Sequence, residues 1–414
     1  MRKMVVLLVA VMMLVGTFNV LAQTAEIDIF ISMPEYADPI NELIDTYQEE
    51  VNNEVEINYE TTQSDYPTLL KVKLNSGDIP DLFASTSGKE IELYKEYSYD
   101  LSGEPMMDTM LPSVKKAMAD ADGNGVYGFA IKGNYFGLIY NKDLFAQAGI
   151  EKFPETISEM ETAIEKLEAE GITPFTSGFS EWWVFKHLFQ HFLVAAEDDV
   201  QALVRDFENG EASFSDYPVL EDNFFHFVDL VVEHGDNKIL ESSLNTEISQ
   251  FATGQAAMVI GQGPWIEDSL IQIDPELNIG FTGYPVSEDP AESQVISGAD
   301  QAVRVSSDSE DLDAVLDFVN WWYTSDYGKS WFTDVAGVVP PIEVEIPEDY
   351  YQIIQEGIKA SEEKGSAPLA IIYSTDSFHS AFGEAMQTYV GGNATKAETI
   401  ETIETKWQEI DGSN

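Results

Sequence analysis

The chain has 414 residues, of which 44% are hydrophobic and 12% aromatic; this is enough for two or three domains with real cores, and too apolar for a disordered chain. Its 74 acidic and 21 basic residues give a formal net charge of -53, and a surface so negative excludes binding to nucleic-acid phosphates or to anionic lipid. The absence of cysteine excludes disulfides, thiolate nucleophiles, cysteine-ligated zinc and a lipid anchor on an N-terminal cysteine.

Residues 1–22 have the three-part layout of a secretory signal peptide. Arg2 and Lys3 give a positive start, an apolar run covers residues 4–18, and a cleavage site with small residues follows at Ala22. An apolar run of about 15 residues is shorter than the roughly 20 that a membrane-spanning helix needs. We therefore expect a cleaved signal and a mature protein that is periplasmic or secreted, with no insertion into the membrane.

The first part of the mature chain alternates predicted strands with predicted helices. Alternating apolar residues predict strands at 26–31 and 55–59, and a short apolar run predicts a third strand at 81–84. Between them, apolar residues at three- and four-residue spacing predict helices at 38–51 and 69–77, the second of which ends at a glycine. This order is typical of a parallel α/β sheet.

The remainder of the chain is also predicted to mix strands and helices. Residues 127–140 have strand-like patterning, and residues 156–171 have the periodicity of an amphipathic helix. Residues 175–270 are predicted to be mostly helical and contain many aromatics, whereas residues 279–331 form another α/β stretch. The segment 400–410 is predicted to be a helix with an apolar face.

Three patterns that suggest catalytic or metal chemistry have simpler explanations. His187 and His191 have the spacing of two metal ligands, but Leu188 stands where a metalloprotease has its glutamate. Residues 120–125 begin like a calcium loop, but Ile131 replaces the closing glutamate, so a tight hairpin turn is the preferred interpretation. Among 74 acidic residues no catalytic pair can be singled out. We expect no metal, no cofactor and no catalytic residue.

Some of the tryptophans are better guides to function. Trp182-Trp183 lies in a predicted loop after a glycine, and Trp265 follows a Gly-Pro pair. Sugar rings present apolar C–H faces that stack on aromatic planes, and tryptophans in polar, glycine-rich loops fit that role. Trp183 and Trp265 are therefore candidate ligand platforms. Other tryptophans follow regular core patterns: Trp321, Trp322 and Trp407.

Several segments, in order along the mature chain, carry a resemblance to a known family. They include residues 76–82 (SGDIPDL), 127–130 (YGFA), 138–145 (LIYNKDLF), 251–258 (FATGQAAM) and 263–265 (GPW). Together they resemble the extracellular (periplasmic) solute-binding proteins of ABC sugar importers, family 1, which include the maltose-binding proteins. The predicted signal peptide agrees with this resemblance independently.

The resemblance implies an α/β protein with the two-lobed periplasmic-binding-protein fold of type II. Each lobe would be a mostly parallel sheet flanked by helices, and a hinge would let the lobes close on a ligand. The implied ranges are 26–132 plus 299–334 for lobe one and 135–297 plus 335–414 for lobe two. The implied hinge crossings lie near residues 133–134, 297–298 and 333.

By the same resemblance, loops of both lobes and the first crossing supply the ligand contacts. The implied contact residues are Glu35, Tyr36, Ser85, Asn134, Trp183 and Trp265. We add Asp300 as an acceptor for sugar hydroxyls. We also add Tyr373, which is expected to compensate for a Trp-Tyr pair that His379 and Ser380 replace near the C-terminus. Trp183 stands where the maltose-binding type has a tyrosine platform, and Trp265 matches a tryptophan of that type. Glu35 and Ser85 depart from the tryptophan and charged groups of that type in lobe one, so we expect an oligosaccharide or glycoside other than maltose.

We therefore predict a receptor, not an enzyme, that captures a carbohydrate between two lobes. It would deliver this ligand, an oligosaccharide in particular, to the membrane subunits of an ABC permease, and we expect it to act as a monomer. Two alternatives stay open. One is a receptor of the same fold for a non-sugar solute such as a polyamine, and the other is a secreted glycoside hydrolase.

Overall fold

The computed structural model describes residues 25–236 and 238–411, so the predicted signal peptide, residues 1–22, lies outside the described residues. The described residues form the strands β1 (Ala25–Ile31), β2 (Val55–Thr61), β3 (Leu82–Thr86), β4 (Asn134–Phe136), β5 (Leu138–Asn141), β6 (Thr173–Ser177), β7 (Ala256–Ile260), β8 (Ile279–Thr282), β9 (Val295–Gly298), β10 (Gln301–Val305) and β11 (Ser366–Pro368).

The α-helices of the same described residues are α1 (Ala37–Glu50), α2 (Tyr66–Ser76), α3 (Lys89–Leu93), α4 (Pro112–Ala117), α5 (Lys142–Gln147), α6 (Ile157–Ala169), α7 (Trp182–Ala196), α8 (Val200–Asn209), α9 (Phe225–His234), α10 (Leu244–Ala252), α11 (Glu267–Ile273), α12 (Leu312–Thr324), α13 (Asp326–Ser330), α14 (Gln352–Lys364), α15 (Asp376–Val390) and α16 (Lys396–Lys406). Short 3₁₀ turns lie at Pro34–Tyr36, Pro264–Ile266 and Ile371–Tyr373. Within residues 25–236 and 238–411, no helix combines the length and the apolar character that crossing a membrane requires.

The first sheet has the strand order β10-β3-β1-β2. Strand β1 runs parallel to β2 and β3, and β10 returns antiparallel along β3, with Gln301 opposite Thr86. Helices α1 and α2 connect the parallel strands, and α2 ends where Gly77 takes a left-handed φ of 78° that glycine adopts without strain. The strand-helix alternation predicted for residues 26–84 is confirmed.

The second sheet, with the order β6-β7-β5-β8, is mixed. Strands β6 and β7 pair in parallel, but β5 pairs antiparallel with both β7 and β8. The α/β class is confirmed, while the mostly parallel arrangement expected for each lobe holds for the first sheet and not for this one. Only Gly137 separates β5 from β4 of another sheet, so the chain enters this sheet directly from that strand and runs opposite to both of its neighbours, β7 and β8.

A third sheet, with the order β11-β9-β4, lies where the chain passes between the two larger sheets. In it β4 pairs antiparallel with β9, and Asn134 lies opposite Gly298. Gly133 also pairs with Val339 in an isolated bridge. The chain thus crosses near residues 133–134 and 297–298, the positions implied for the first two hinge crossings.

Two large clusters of buried apolar residues define what we call lobe one and lobe two. The cluster of lobe one joins β1, β2, β3 and β10 to α1 and α12. It also contains Ala336, Val338 and Ile342, which lie beyond the range 299–334 that the resemblance implies. The cluster of lobe two gathers many phenylalanines from α7, α9 and α15, together with Trp407.

The first turn of α7 corrects one expectation from the sequence. Trp182 and Trp183 were expected in a loop, but α7 begins at Trp182 and runs to Ala196. The segment contains neither glycine nor proline, and it is buried along most of its faces, as a helix in the centre of a lobe should be. Both tryptophans therefore have positions fixed by a helix.

Candidate functional site

A cleft between lobe one and lobe two collects most of the predicted contact residues. Six of them line it: Glu35, Ser85, Asn134, Trp183, Trp265 and Asp300. Strands β1, β3, β6 and β7 all end at this cleft, because the segments that follow them supply part of its lining. In open α/β sheets the carboxyl ends of the strands are the usual place for a ligand.

Tyr36 and Tyr373 do not line the cleft. Tyr36 is buried in the core of lobe one, next to the turn that carries Glu35. Tyr373 is half-buried and packs against the core of lobe two, and Ile371, from the same 3₁₀ turn, lines the cleft instead. Both turns lie at the cleft as expected: Glu35 lines it in the first, whereas Ile371 takes the place expected for Tyr373 in the second.

A row of buried, hydrogen-bonded polar side chains lies at the bottom of the cleft, at the first hinge crossing. Lys132 Nζ donates to Asn134 Oδ1 at 3.0 Å, and Asn134 Nδ2 donates to Asp300 Oδ1. Lys132 Nζ also lies 5.0 Å from the ring centroid of Trp265, within cation–π range. Glu35 stays accessible to water in the cleft, yet the surrounding lobes raise its pKa by burial, an effect that the nearby Lys132 partly offsets.

Trp265 is held by its edge. Its Nε1 donates to Gln262 Oε1 at 3.0 Å, and Gln262 Nε2 donates to Glu247 Oε2 at 2.8 Å. Burial raises the pKa of Glu247 well above its usual range. The ring of Trp265 packs on Phe136, with centroids 5.5 Å apart, and remains half-buried at the cleft. Since the polar edge is engaged within the protein, the accessible part of the ring itself is what remains for a ligand.

Trp183 and His187 lie one turn apart on α7, and both line the cleft. Trp183 is 6% exposed, and its buried Nε1 has no hydrogen-bond partner among the described residues. His187 Nδ1 lies 3.0 Å from the carbonyl oxygen of Gly261, which can only accept, so Nδ1 carries the hydrogen. Burial, helped by the charge of Lys186, holds the pKa of His187 well below its usual range, so the ring is neutral.

Several lining residues were missed by the sequence analysis. Lys132 lies two positions before the predicted contact Asn134, and Gln301 directly follows the predicted contact Asp300. This proximity in sequence was the signal that could have identified them. Lys186 and Asp376 form an ion pair at 3.0 Å across α7 and the start of α15, and both line the cleft. Nothing in their local sequence pointed to a site, because their helices meet only in the folded chain.

Two sequence patterns that suggested metal ligands, His187 with His191 and residues 120–125, belong to no metal-binding cluster of the described residues. In the described part of the chain, no three histidine, aspartate or glutamate side chains come together to hold a metal ion. Asp120 Oδ1 accepts hydrogen bonds from the N–H groups of Asn124 and Gly125, and Ala119 pairs antiparallel with Val126. The interpretation of this loop as a hairpin turn is confirmed.

The lobes touch each other along the rim of the cleft. Ser64 Oγ of lobe one donates to Glu181 Oε2 of lobe two at 2.8 Å, and the Asp376 N–H at the start of α15 donates to Glu90 Oε1 at 2.8 Å. Burial, followed by the charge of Asp376, raises the pKa of Glu90 to about 7. These direct bonds between lobes describe a closed arrangement.

The family profile of the bacterial extracellular solute-binding proteins matches residues 42–353. The chain belongs to this family. Similar curated proteins include the multiple sugar-binding protein of Streptococcus mutans serotype c, 23% identical over 334 residues that cover 78% of this chain and 74% of that protein. Another is the melibiose/raffinose/stachyose-binding protein MelE of Bacillus subtilis, 21% identical over 281 residues, 66% of this chain and 63% of that protein.

Solved structures of this solute-binding type share the fold. A chitin oligosaccharide binding protein matches with a TM-score of 0.82 at 19% identity, covering 94% of this chain and 100% of that one. A sugar transporter protein of Bacillus licheniformis in complex with stachyose matches with a TM-score of 0.77 at 20% identity, covering 93% and 99%. The predicted two-lobed fold is confirmed.

Proposed function

We propose that this solute-binding protein is the receptor of an ABC transporter and captures an oligosaccharide between lobe one and lobe two. The observation that carries the proposal is Trp265, which lines the cleft half-buried with its edge held by Gln262, and its ring would serve as a stacking surface for a sugar. Glu35 and Asp300 lie in the same cleft and can accept hydrogen bonds from sugar hydroxyls. The names of the curated relatives, which refer to sugars, support the same ligand class.

Closure would couple capture to delivery. Only the closed arrangement lets both lobes contact one ligand, so a ligand shifts the population toward it. The contacts of Glu90 and Ser64 with lobe two exist only while the lobes are together. The closed receptor would then present its ligand to the membrane subunits of the permease, as a monomer exported by the predicted signal peptide.

The test is a titration of the protein with raffinose, stachyose and chitotriose by calorimetry, alongside the melting temperature. We expect saturable binding of at least one of these sugars and a higher melting temperature, since a ligand at 100 times its Kd stabilises by about 2.7 kcal/mol. Spermidine and a reducing-end assay with excess oligosaccharide are the comparison arms. Binding of spermidine alone would indicate a receptor for a non-sugar solute, and turnover would indicate a hydrolase; either result contradicts the proposal.

A further inference from the structure

The polar edge of Trp183 is an unusual group in the cleft. Its Nε1–H is buried and has no partner among the described residues, whereas the same atom of Trp265 is bonded to Gln262. A buried donor without a partner is costly, so natural structures rarely keep one without a reason. Because Trp183 is 94% buried and lines the cleft, a bound molecule is the natural source of an acceptor.

His187 stands one turn further along α7 as a neutral acceptor. Its Nδ1–H is committed to the carbonyl of Gly261, which leaves Nε2 with a free lone pair. Gly261 itself is fixed, since its N–H donates to Tyr284 Oη at 2.8 Å. The His187 ring lies 5.3 Å from the ring of Trp183 and 5.5 Å from that of Trp265, between centroids. The imidazole is therefore held in one tautomer within an aromatic enclosure.

We infer that Trp183 and His187 together recognise one hydroxyl group of the sugar, which accepts a hydrogen bond from Trp183 Nε1 and donates its own hydrogen to His187 Nε2. This inference rests on the proposed function and names the chemistry that the cleft selects. Trp183 then acts through its edge, and Trp265 through its face. The spacing of four residues on α7 brings the two groups to the same side of the helix.

This pair selects a neutral hydroxyl at its subsite. A carboxylate has no hydrogen for His187 Nε2, and an ammonium has no lone pair for Trp183 Nε1. The pair therefore favours neutral oligosaccharides over uronates and polyamines at that position. On the lobe one side of the cleft, Gln301 Oε1 is also buried without a partner among the described residues, and it can accept a hydrogen bond from another hydroxyl.

The test compares variants in the titration with raffinose, stachyose and chitotriose. We expect Trp183→Phe and His187→Phe each to raise the Kd for the bound sugar at least tenfold. The double variant should be hardly weaker than either single one, because both side chains contact the same hydroxyl. His191→Phe is the matched control: His191 is buried on the same helix, one turn beyond His187, and does not line the cleft. It should change the Kd less than threefold.

His187→Gln separates recognition from packing. A glutamine can return an acceptor near the position of Nε2, so it should bind more tightly than His187→Phe, whereas a ring needed only for packing would make the glutamine variant the weaker one. The inference is overturned if the single variants bind like the wild type, or if their effects simply add. Failure of the wild type to bind any of the three sugars would overturn the proposed function and this inference with it, whereas unchanged variants of a sugar-binding wild type overturn the inference alone.

Discussion

At the residue scale, the two cleft tryptophans expose different parts of the same side chain. A tryptophan whose N–H is already bonded can offer a ligand only its ring, as we propose for Trp265, and stacking of a sugar on the ring buries apolar surface of both partners. The chain Trp265–Gln262–Glu247 therefore sets the orientation of the stacking surface from within lobe two.

Trp265→Ala should lower sugar affinity at least tenfold, because it removes this stacking surface while leaving the hinge and both cores in place. Calorimetry with the sugar that the wild type binds measures the change. Trp321→Ala is the matched control, since Trp321 is also half-buried but packs against Tyr47 and Tyr327 in lobe one and does not line the cleft. Equal Kd values for the wild type and Trp265→Ala would refute the role of Trp265.

The residues of the cleft could be predicted only in part. Resemblance placed Glu35 and Asn134 in it because they adjoin a strand end and a crossing with a recognisable local pattern. His187 was expected to be a packed or surface histidine and not a metal ligand, and a ligand contact was not foreseen because its tautomer depends on the carbonyl of Gly261, which is distant in sequence. Such contacts depend on tertiary packing, so the spacing of residues in the sequence cannot predict them.

At the scale of elements, a carboxylate from one helix caps another. Glu267, the first residue of α11, accepts hydrogen bonds from the N–H groups of Gln352 and Ile353 at the start of α14, at 2.5 and 2.7 Å. A negative charge at a helix N-terminus is favourable. Burial nevertheless dominates and raises the pKa of Glu267 to about 7.

The pKa of Glu267 predicts a pH dependence of stability. Because the folded-state pKa lies above the usual 4.5, this group stabilises the fold below about pH 4.5, and its contribution is lost as the pH rises through about 7. The slope is up to about 1.4 kcal/mol per pH unit in that window. Glu267→Gln cannot ionise, so the free energy of unfolding of the wild type minus that of the variant should fall between pH 5 and pH 8. Urea unfolding at several pH values measures it, and a constant difference would contradict the assignment.

Two strands, β6 and β7, were not predicted from the sequence. Strands β6 and β7 lie inside the range 175–270 or at its edge, where mostly helix was expected. Strand β7 is buried at every position, so its sequence is one apolar run without the alternation that marks a half-exposed strand. The amphipathic elements at the surface, such as α1 with its stripe of Ile40, Leu43, Ile44 and Tyr47, were predicted correctly for the opposite reason.

At the scale of the whole molecule, closure depends on a close approach at Gly88. This glycine has a φ of 69°, and an added Cβ would lie 2.8 Å from the Cβ of Ile372 in lobe two and closer still to its carbonyl oxygen. Gly88→Ala should therefore hold the lobes apart and raise the Kd at least tenfold. Small-angle scattering should show a smaller ligand-induced contraction than in the wild type.

Gly77→Ala controls for backbone strain in that experiment. Gly77 has a similar φ of 78°, but an added Cβ there meets no atom within 4 Å. Both variants should lose similar stability without ligand, and only Gly88→Ala should lose affinity. If Gly77→Ala weakens binding equally, strain and not the contact between lobes is the cause.

The charge of the whole chain makes a separate prediction. A formal net charge of -53 implies mutual repulsion on the surface, which salt screens over a distance of about 10 Å at 0.1 M and about 3 Å at 1 M. The melting temperature should therefore rise from low salt to about 1 M NaCl, as suits a saline habitat. A melting temperature that stays level or falls over this range would contradict the prediction that surface charge repulsion destabilises the fold at low salt.

The contact between Ser64 and Glu181 has a practical consequence. The two side chains meet across the mouth of the cleft, and the sequence contains no cysteine. A single cysteine introduced at position 64 would accept one thiol-reactive dye at a defined place. The surroundings of the dye would change from protein to water whenever the lobes move apart. The protein is thus a convenient scaffold for an optical sensor of its own ligand.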